Sequence, residues 1–347
     1  MHINDLDTPA LLADLDVLEK NISNMAKHCS EIGIPLRVHT KTHKVPEIAK
    51  LQVETGSKGI TCQKLGEAEV MVDAEIDDIL IPYNIVGKPK LQRLTDLVKR
   101  AKVIVALDSE ETASGISQQA TADGCVIPVI VELDTGSRRC GVGSPLAAHH
   151  LAQKAVKMPG LDFQGVMTYP SNVNAKPFIT ETVNLLRKDG IPVNVISGGG
   201  TGSEIASKEI GCTETRSGSY VYEEMTRVGN SEMLSPERCV LRVLVTVVST
   251  PSSDRIIIDG GQKTFASYPP TPYGHIIEHP DAKIYGMSVE HGHVDVSGCS
   301  HKFRVGERLS VIPLHQGMTS NLHDELVGVR INTVETKWQI AGRGKVK

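Results

Sequence analysis

From residue 8 to about residue 235 the chain alternates short runs of β-branched and other apolar residues with longer stretches whose apolar positions recur every three or four residues. The short runs predict strands at 9–14 (PALLAD), 36–40 (LRVHT), 59–62, 79–83, 102–107 (KVIVAL), 127–133 (IPVIVEL), 164–168, 193–197 and 214–216. Between them the spacing predicts helices at 16–32, 46–54, 65–75, 88–101, 109–122, 145–157, 176–189 and 202–210. Repeated βα units imply a parallel sheet. Eight or nine of them without interruption favour a closed (β/α)8 barrel of the TIM type, because an open sheet rarely repeats one connection so evenly. After residue 235 the pattern changes to strands at 241–249, 255–259, 284–289, 309–313 and 326–334, separated by turns with little helical periodicity. The expected organisation is an α/β barrel over 1–235 followed by an antiparallel β-domain over 236–347.

Composition narrows what such a chain does. With 40% hydrophobic and 22% charged residues and a formal charge of -4, it lacks the basic excess of a nucleic-acid binder, so small molecules are the expected partners. No run approaches the ~18 apolar residues of a membrane helix, and the first residues carry neither a basic nor an apolar leader segment, so the cytoplasm is expected and no membrane partner. Seven singly scattered cysteines suggest neither a disulfide framework nor a paired-cysteine metal site.

In a barrel the reactive groups lie at the C-terminal strand ends and in the loops after them. One strand ends in Leu36-Arg37-Val38-His39-Thr40-Lys41-Thr42-His43-Lys44. Clustered cations either form a solvated basic turn or gather around an anion, and their mutual repulsion moves a lysine toward the neutral amine that attacks an aldehyde. A second segment, Ser197-Gly198-Gly199-Gly200-Thr201-Gly202-Ser203, lies between a strand and a helix. Its glycines let backbone N–H groups approach an anion, so it reads as a phosphate cradle in preference to a flexible turn. Arg216-Ser217-Gly218-Ser219-Tyr220 on the next strand end offers further donors. Asp134-Thr135-Gly136-Ser137-Arg138-Arg139 supplies an arginine that can hold a carboxylate or lie against a ring. Tyr169 reads as a wall residue or a catalytic phenol. A lysine and a phosphate cradle in one barrel mouth suit pyridoxal phosphate (PLP), whose aldehyde and phosphate need separate anchors. Chemistry on phosphorylated sugars also remains open on these residues alone.

Together these segments resemble the D-threonine aldolase and D-serine dehydratase family, a branch of the alanine-racemase-like (fold-type III) PLP enzymes, over nearly the whole chain. "DTPALLADLDVLEKNI" is similar to the family's first strand and helix, and "RVHTKTHK" to its R-P-H-x-K-T-H-K motif, with Val38 in place of the proline. The resemblance implies that Lys41 bears PLP and that His39 belongs to the catalytic set. "DTGSRRCGV" resembles the D-x-G-x-x-R-x-G pattern and implies Arg139 near the ring. "SGGGTGS" and "RSGSY" imply phosphate contacts from Gly199, Gly200, Thr201, Gly218 and Ser219, with Tyr169 and Tyr220 at the cofactor. "IPLHQGMTSNLHDE" resembles the family's P-x-H-x-C/D stretch, whose histidine and Cys or Asp bind a divalent metal (Mn, Mg or Zn). His315 matches the histidine, whereas Gly317 stands at the second ligand and has no side chain. His291, His293, Asp295, His323 and Asp324 are candidate replacements.

The resemblance implies a lyase that cleaves a D-3-hydroxy amino acid to glycine and an aldehyde, with His315 or a metal-bound group as base for the 3-hydroxyl. A D-serine or D-3-hydroxyaspartate dehydratase is the alternative, and an amino-acid racemase a third. Hydroxide departure needs a Lewis acid more than retro-aldol cleavage does, so Gly317 favours the aldolase. Non-catalytic PLP carriers usually stop at the barrel, and the extra β-domain argues against that class. By resemblance a homodimer is expected.

Overall fold

The computed structural model describes residues 1–225, 235–266 and 271–347, which fall into two compact units. The units interleave in sequence rather than dividing once near residue 235. One holds residues 1–24, 42–45 and 219–343, and the other 25–41, 46–218 and 344–347.

PALLAD, expected as the first strand of the barrel, does not belong to it. Strand β1 (Ala10–Asp14) lies instead in the β-rich unit, and helix α1 (Leu15–Ile32) follows it directly. Eight strands then pair in sequence order, each parallel to the next: β2 (Val38–His39), β3 (Ile60–Thr61), β4 (Asp78–Ile81), β5 (Lys102–Leu107), β6 (Ile127–Leu133), β7 (Leu161–Thr168), β8 (Val195–Gly198) and β9 (Glu214–Thr215). The Leu36–Thr215 bridge, with the Arg37 N–H donating to the Thr215 carbonyl at 2.9 Å, joins last strand to first and closes the barrel. The segment 214–216 is therefore the eighth strand, filling the place expected of a ninth.

The connecting helices are α2 (Pro46–Glu54), α3 (Leu65–Asp73), α4 (Lys88–Val98), α5 (Glu110–Ala122), α6 (Pro145–Lys157), α7 (Lys176–Lys188) and α8 (Glu204–Glu209). Their starts are chemically marked. Ser109 and Ser144 accept the N–H groups of Thr112 and Ala147, and Pro145 opens α6, where its missing N–H costs nothing. The strands are buried on both faces, as a sheet covered by helices requires. Alternate positions Leu80, Ile104, Ala106, Ile130 and Met167 cluster across β4 to β7.

In the other unit the order is β10 (Leu241–Ser252), β11 (Arg255–Ile258), β12 (Gly274–Ile276), β13 (Lys283–Met287), β14 (Gly292–Asp295), β15 (Arg308–Pro313), a short helix α9 (Gln316–Ser320), β16 (Glu325–Arg330) and β17 (Thr333–Gln339). The pairing β10-β11-β14-β13-β12-β15 returns to β10 and makes a six-stranded antiparallel barrel. β1 extends the sheet, antiparallel to β10 and parallel to β16. The expected strand 326–334 is a hairpin: Ile331 turns the chain at a φ of 56°, and β17 returns against β16. β12 has no counterpart in the sequence reading.

Candidate active site

Lys41 follows β2 in a single tight turn, Thr40–Thr42. Its side chain is reached by solvent through the mouth, while protein atoms crowd around the amine. That desolvation, then the positive charges of Arg139 and Arg216, holds the ammonium below the ordinary lysine value, with Glu67 opposing. Beside it, burial and the charges of Lys41 and Arg216 hold the His39 imidazole well below its usual pKa, so it is neutral. His39 Nε2 faces Gln63 Oε1 at 3.1 Å and its Nδ1 faces the Lys41 backbone N–H at 3.5 Å, an arrangement that suits the Nε2–H tautomer. His39 is thus buried and neutral beside the Lys41 turn.

Arg139 reaches toward Glu132 at 3.8 Å and lies over the Tyr169 ring, 5.2 Å from its centroid. A Cβ on Gly200 would sit 3.5 Å from the same ring, so Tyr169 faces both the arginine and the glycine-rich loop. Gly199 has a φ of +88°, and a Cβ there would lie 2.1 Å from Thr215 Oγ1, so glycine is required. The Gly199 N–H donates to Ser171 Oγ at 2.6 Å, that of Gly200 to Ser203 Oγ at 2.9 Å and that of Gly202 to the Glu204 carboxylate at 3.0 Å. Thr201 Oγ1 accepts the Gly218 N–H at 3.2 Å, joining the two predicted phosphate segments. Ser219 and Tyr220 start the turn Ser219–Val221 in the β-rich unit, with Tyr220 buried.

Sequence reasoning missed most of the groups that hold this mouth together. Arg216, noted only as part of a donor segment, is buried and donates to Ser197 Oγ at 2.8 Å and to the Thr168 carbonyl at 2.9 Å. Ser197 donates to Glu214 Oε1 at 2.8 Å, and Glu214 takes both Arg37 Nε contacts at 3.0 and 3.1 Å. Arg37 is therefore no part of the cation cluster at the mouth. It is an internal ion partner of Glu214 and Asp78, 1% exposed. Ser171, Gln63, Glu67 and Glu132 carry no motif by which they could have been found.

The donor set around Lys41 fits PLP. Three cationic groups, Lys41, Arg139 and Arg216, face two carboxyls, Glu67 and Glu132, and burial raises the pKa of Glu132. Arg139 and Arg216 are the groups here that suit an anionic ligand. The neutral-leaning amine suits an aldehyde, and the glycine loop with the Thr201 and Ser171 hydroxyls suits a phosphate, while Ser203, which donates to the Gly200 carbonyl at 2.8 Å, braces the loop.

The expected metal position is different. His315 Nδ1 caps α9 by accepting the Met318 N–H at 3.2 Å, and the same nitrogen lies 3.2 Å from Glu224 Oε1. Burial raises the Glu224 pKa against the pull of His315 and the Gly317 N–H, so this is an imidazole–carboxyl pair. A metal would have to bind at Nε2, away from Glu224, and Gly317 offers no ligand. The other candidates turn elsewhere: His293 Nε2 to Ser288 Oγ at 3.0 Å, His323 Nε2 to the Thr264 carbonyl at 3.0 Å, Asp295 to the Ser297 N–H and Asp324 to Arg343. His291 stands exposed between β13 and β14. The residues around His315 do not form the family's two-ligand site. No helix of the described residues is long and apolar enough to cross a membrane.

Comparison with known proteins agrees with this geometry. Residues 13–225 match the alanine racemase N-terminal domain model, and residues 240–329 the putative serine dehydratase domain. The chain is 37% identical to a D-threonine aldolase of Arthrobacter sp., covering 98% of this chain and 93% of that one. It is 31% identical to a 3-hydroxy-D-aspartate aldolase of Paracoccus denitrificans, covering 99% and 94%. The crystal structure of D-threonine aldolase from Filomicrobium marinum superposes with a TM-score of 0.91 at 31% identity, over 99% of this chain and 98% of that one.

Proposed function

The chain belongs to the D-threonine aldolase and D-serine dehydratase family of alanine-racemase-like enzymes, and from that premise we propose that it is a PLP-dependent carbon–carbon lyase cleaving D-3-hydroxy amino acids to glycine and an aldehyde. The observation that carries the reading is Lys41, its amine held toward neutrality between Arg139 and Arg216 in a glycine-lined barrel mouth. PLP, when bound, supplies an aldehyde for amines and an electron-accepting ring that weakens the bonds at Cα.

The chain's own groups supply the rest. Lys41 is the cofactor's attachment point, because only an unprotonated amine attacks a carbonyl. Gly199, Gly200, Thr201 and Gly218 form the phosphate side, with Ser219 and Tyr220 next in sequence. Arg139 and Tyr169 flank the ring, and His39 keeps the Lys41 turn in place. By resemblance His315 is the base that receives the 3-hydroxyl proton as Cα–Cβ breaks; for this its Nδ1 must carry a proton toward Glu224 in place of accepting the Met318 N–H, so that Nε2 takes the proton and the carboxyl stabilises the imidazolium that forms. The second ligand missing at Gly317 supports cleavage over elimination, since a leaving hydroxide needs the Lewis acid more. A cytoplasmic homodimer accompanies this reading, supported by resemblance.

The test is product analysis of PLP-loaded enzyme with D-threonine, in manganese and in chelator. Glycine and acetaldehyde in both is the expected result. Ammonia and 2-oxobutyrate would make the chain a dehydratase. A borohydride-reducible PLP adduct in Lys41→Ala would refute the cofactor assignment.

A further inference from the structure

Outside both sites, three side chains converge at the rim of the six-stranded barrel. His279 follows β12, His301 lies in the β14–β15 connection, and Glu307 immediately precedes β15. Their ligand atoms all lie within 4.8 Å of one another. His301 Nε2 is 2.7 Å and His279 Nε2 3.8 Å from the same oxygen, Glu307 Oε1. From this convergence we propose that His279, His301 and Glu307 bind one divalent transition-metal ion of the zinc class, a site separate from the lyase chemistry.

The distances suit such an ion. Donors about 2.1 Å from a tetrahedral zinc stand about 3.4 Å apart, and the two measured separations lie on either side of that value. Equalising them takes Glu307 Oε1 away from His301 and toward His279 by more than half of their 1.1 Å difference (3.8 − 2.7), a shift that a turn of the carboxylate and of the His279 ring can share. The carboxylate is also held in advance. Glu307 Oε2 accepts the Arg304 N–H at 3.0 Å, which fixes the group and leaves Oε1 toward the imidazoles, as an outer-shell partner does at a metal site. The Glu307 carbonyl accepts the Val247 N–H at 2.8 Å, so the ligand stands on backbone tied to β10.

The rings are equally constrained. The two imidazoles stack at 4.4 Å and 21°, and Phe303 meets each edge-on at 4.7 and 4.8 Å, so their orientation is set by packing. Charge points the same way. Two stacked imidazolium ions would repel each other, whereas neutral imidazoles and one carboxylate carry a single negative charge that a dication reverses. Two nitrogens and one oxygen select a borderline ion over calcium or magnesium, which take oxygen. His301 is 42% exposed, so the fourth position opens to water. Such an ion would tie the β12–β13 connection to the β14–β15 connection.

The experiment titrates cobalt(II) into metal-stripped, PLP-loaded enzyme and follows the visible absorption of tetrahedral cobalt at wavelengths beyond the cofactor. One equivalent should bind, and zinc should displace it. His279→Ala and His301→Ala should each weaken binding at least tenfold and abolish the band, since loss of a ligand costs no less than loss of an outer-shell partner. Glu307→Gln guards against a folding defect in either histidine variant, because it keeps the shape and removes the charge; it too should lose the band. His315→Ala should bind as the parent does. Absence of the band in the parent, its persistence in His301→Ala or its loss in His315→Ala overturns the proposal.

Discussion

Glu214→Ala would remove the centre of the buried polar chain that runs Arg37, Glu214, Ser197, Arg216 through the closing strands of the barrel. Both partners of the ion pair are 1% exposed, and Arg37 Nε stands 3.0 Å from Glu214 Oε1. At that separation and an effective dielectric of 20 the attraction is about 5.5 kcal/mol before desolvation. Breaking a buried pair from one side typically costs about 3–5 kcal/mol, because a charge is left uncompensated. Arg37 keeps Asp78 at 2.6 Å, so the lower part of that range, about 3–4 kcal/mol, applies. For a unit of this size that is a fall in Tm of roughly 6–16 °C, measured by circular dichroism at pH 7. The pH profile sharpens the test. Burial alone would raise the Glu214 pKa, but Arg37, Lys58 and Ser197 outweigh it and hold the carboxyl below the ordinary 4.5. A group with a depressed folded pKa stabilises above its unfolded pKa and loses that contribution as pH falls through the folded value. The gap in Tm between parent and variant should therefore be constant from about pH 6 to 8 and narrow below about 4.5. The double variant Arg37→Met/Glu214→Leu should lose less than the single one, since no charge is stranded. A fall below about 2 °C at pH 7, or a gap that ignores acid, would refute the reasoning.

Three further outcomes follow from the two sites. Gly199→Ala forces a side chain onto a positive φ and against Thr215, so it should cost about 1–3 kcal/mol and weaken PLP binding in a fluorescence titration; parent-like values would remove the loop from the phosphate side. Glu67 raises the Lys41 pKa, so Glu67→Gln should move the midpoint of PLP capture to lower pH, and Arg139→Gln should move it higher, both read from cofactor absorbance; a reversed order would break the electrostatic account. At Gly317 a Cβ would meet Thr42 only at ordinary contact distance, 3.5 Å, so Gly317→Asp should fold with a loss under about 1 kcal/mol and introduce manganese stimulation of activity. Activity indifferent to manganese in that folded variant would mean that His315 is not placed to share an ion.

What could be read in the chain, and what could not, follows the range of the forces involved. The barrel strands were legible because a strand covered on both faces is a continuous apolar run between turn residues, a local pattern. PALLAD carries the same pattern in a different sheet, since apolarity says that a strand is buried and nothing about which neighbour buries it. Arg37 read as one of a group of mouth cations because its ion partner Glu214 lies far along the chain. The 326–334 run looked continuous because its turn residue, Ile331, is apolar, though 85% exposed and left-handed. Lys41 and the glycine loop stood out through residue types that chemistry rarely places by accident. Glu224 beside His315 and the His279–His301–Glu307 cluster arise only when distant loops fold together, and no spacing announces either.

The position of β1 also bears on how the molecule is made. Leu12 sits opposite Arg242 of β10 on one side and Val327 of β16 on the other, strands that leave the ribosome late. During synthesis β1 emerges before β10 and β16, with an apolar face and two open hydrogen-bonding edges, and neither partner yet exists. The parallel barrel strands, each beside its predecessor, can assemble while this segment waits. A chain stopped before β16 would leave that edge uncovered, so incomplete products should be marked for capture by chaperones through β1.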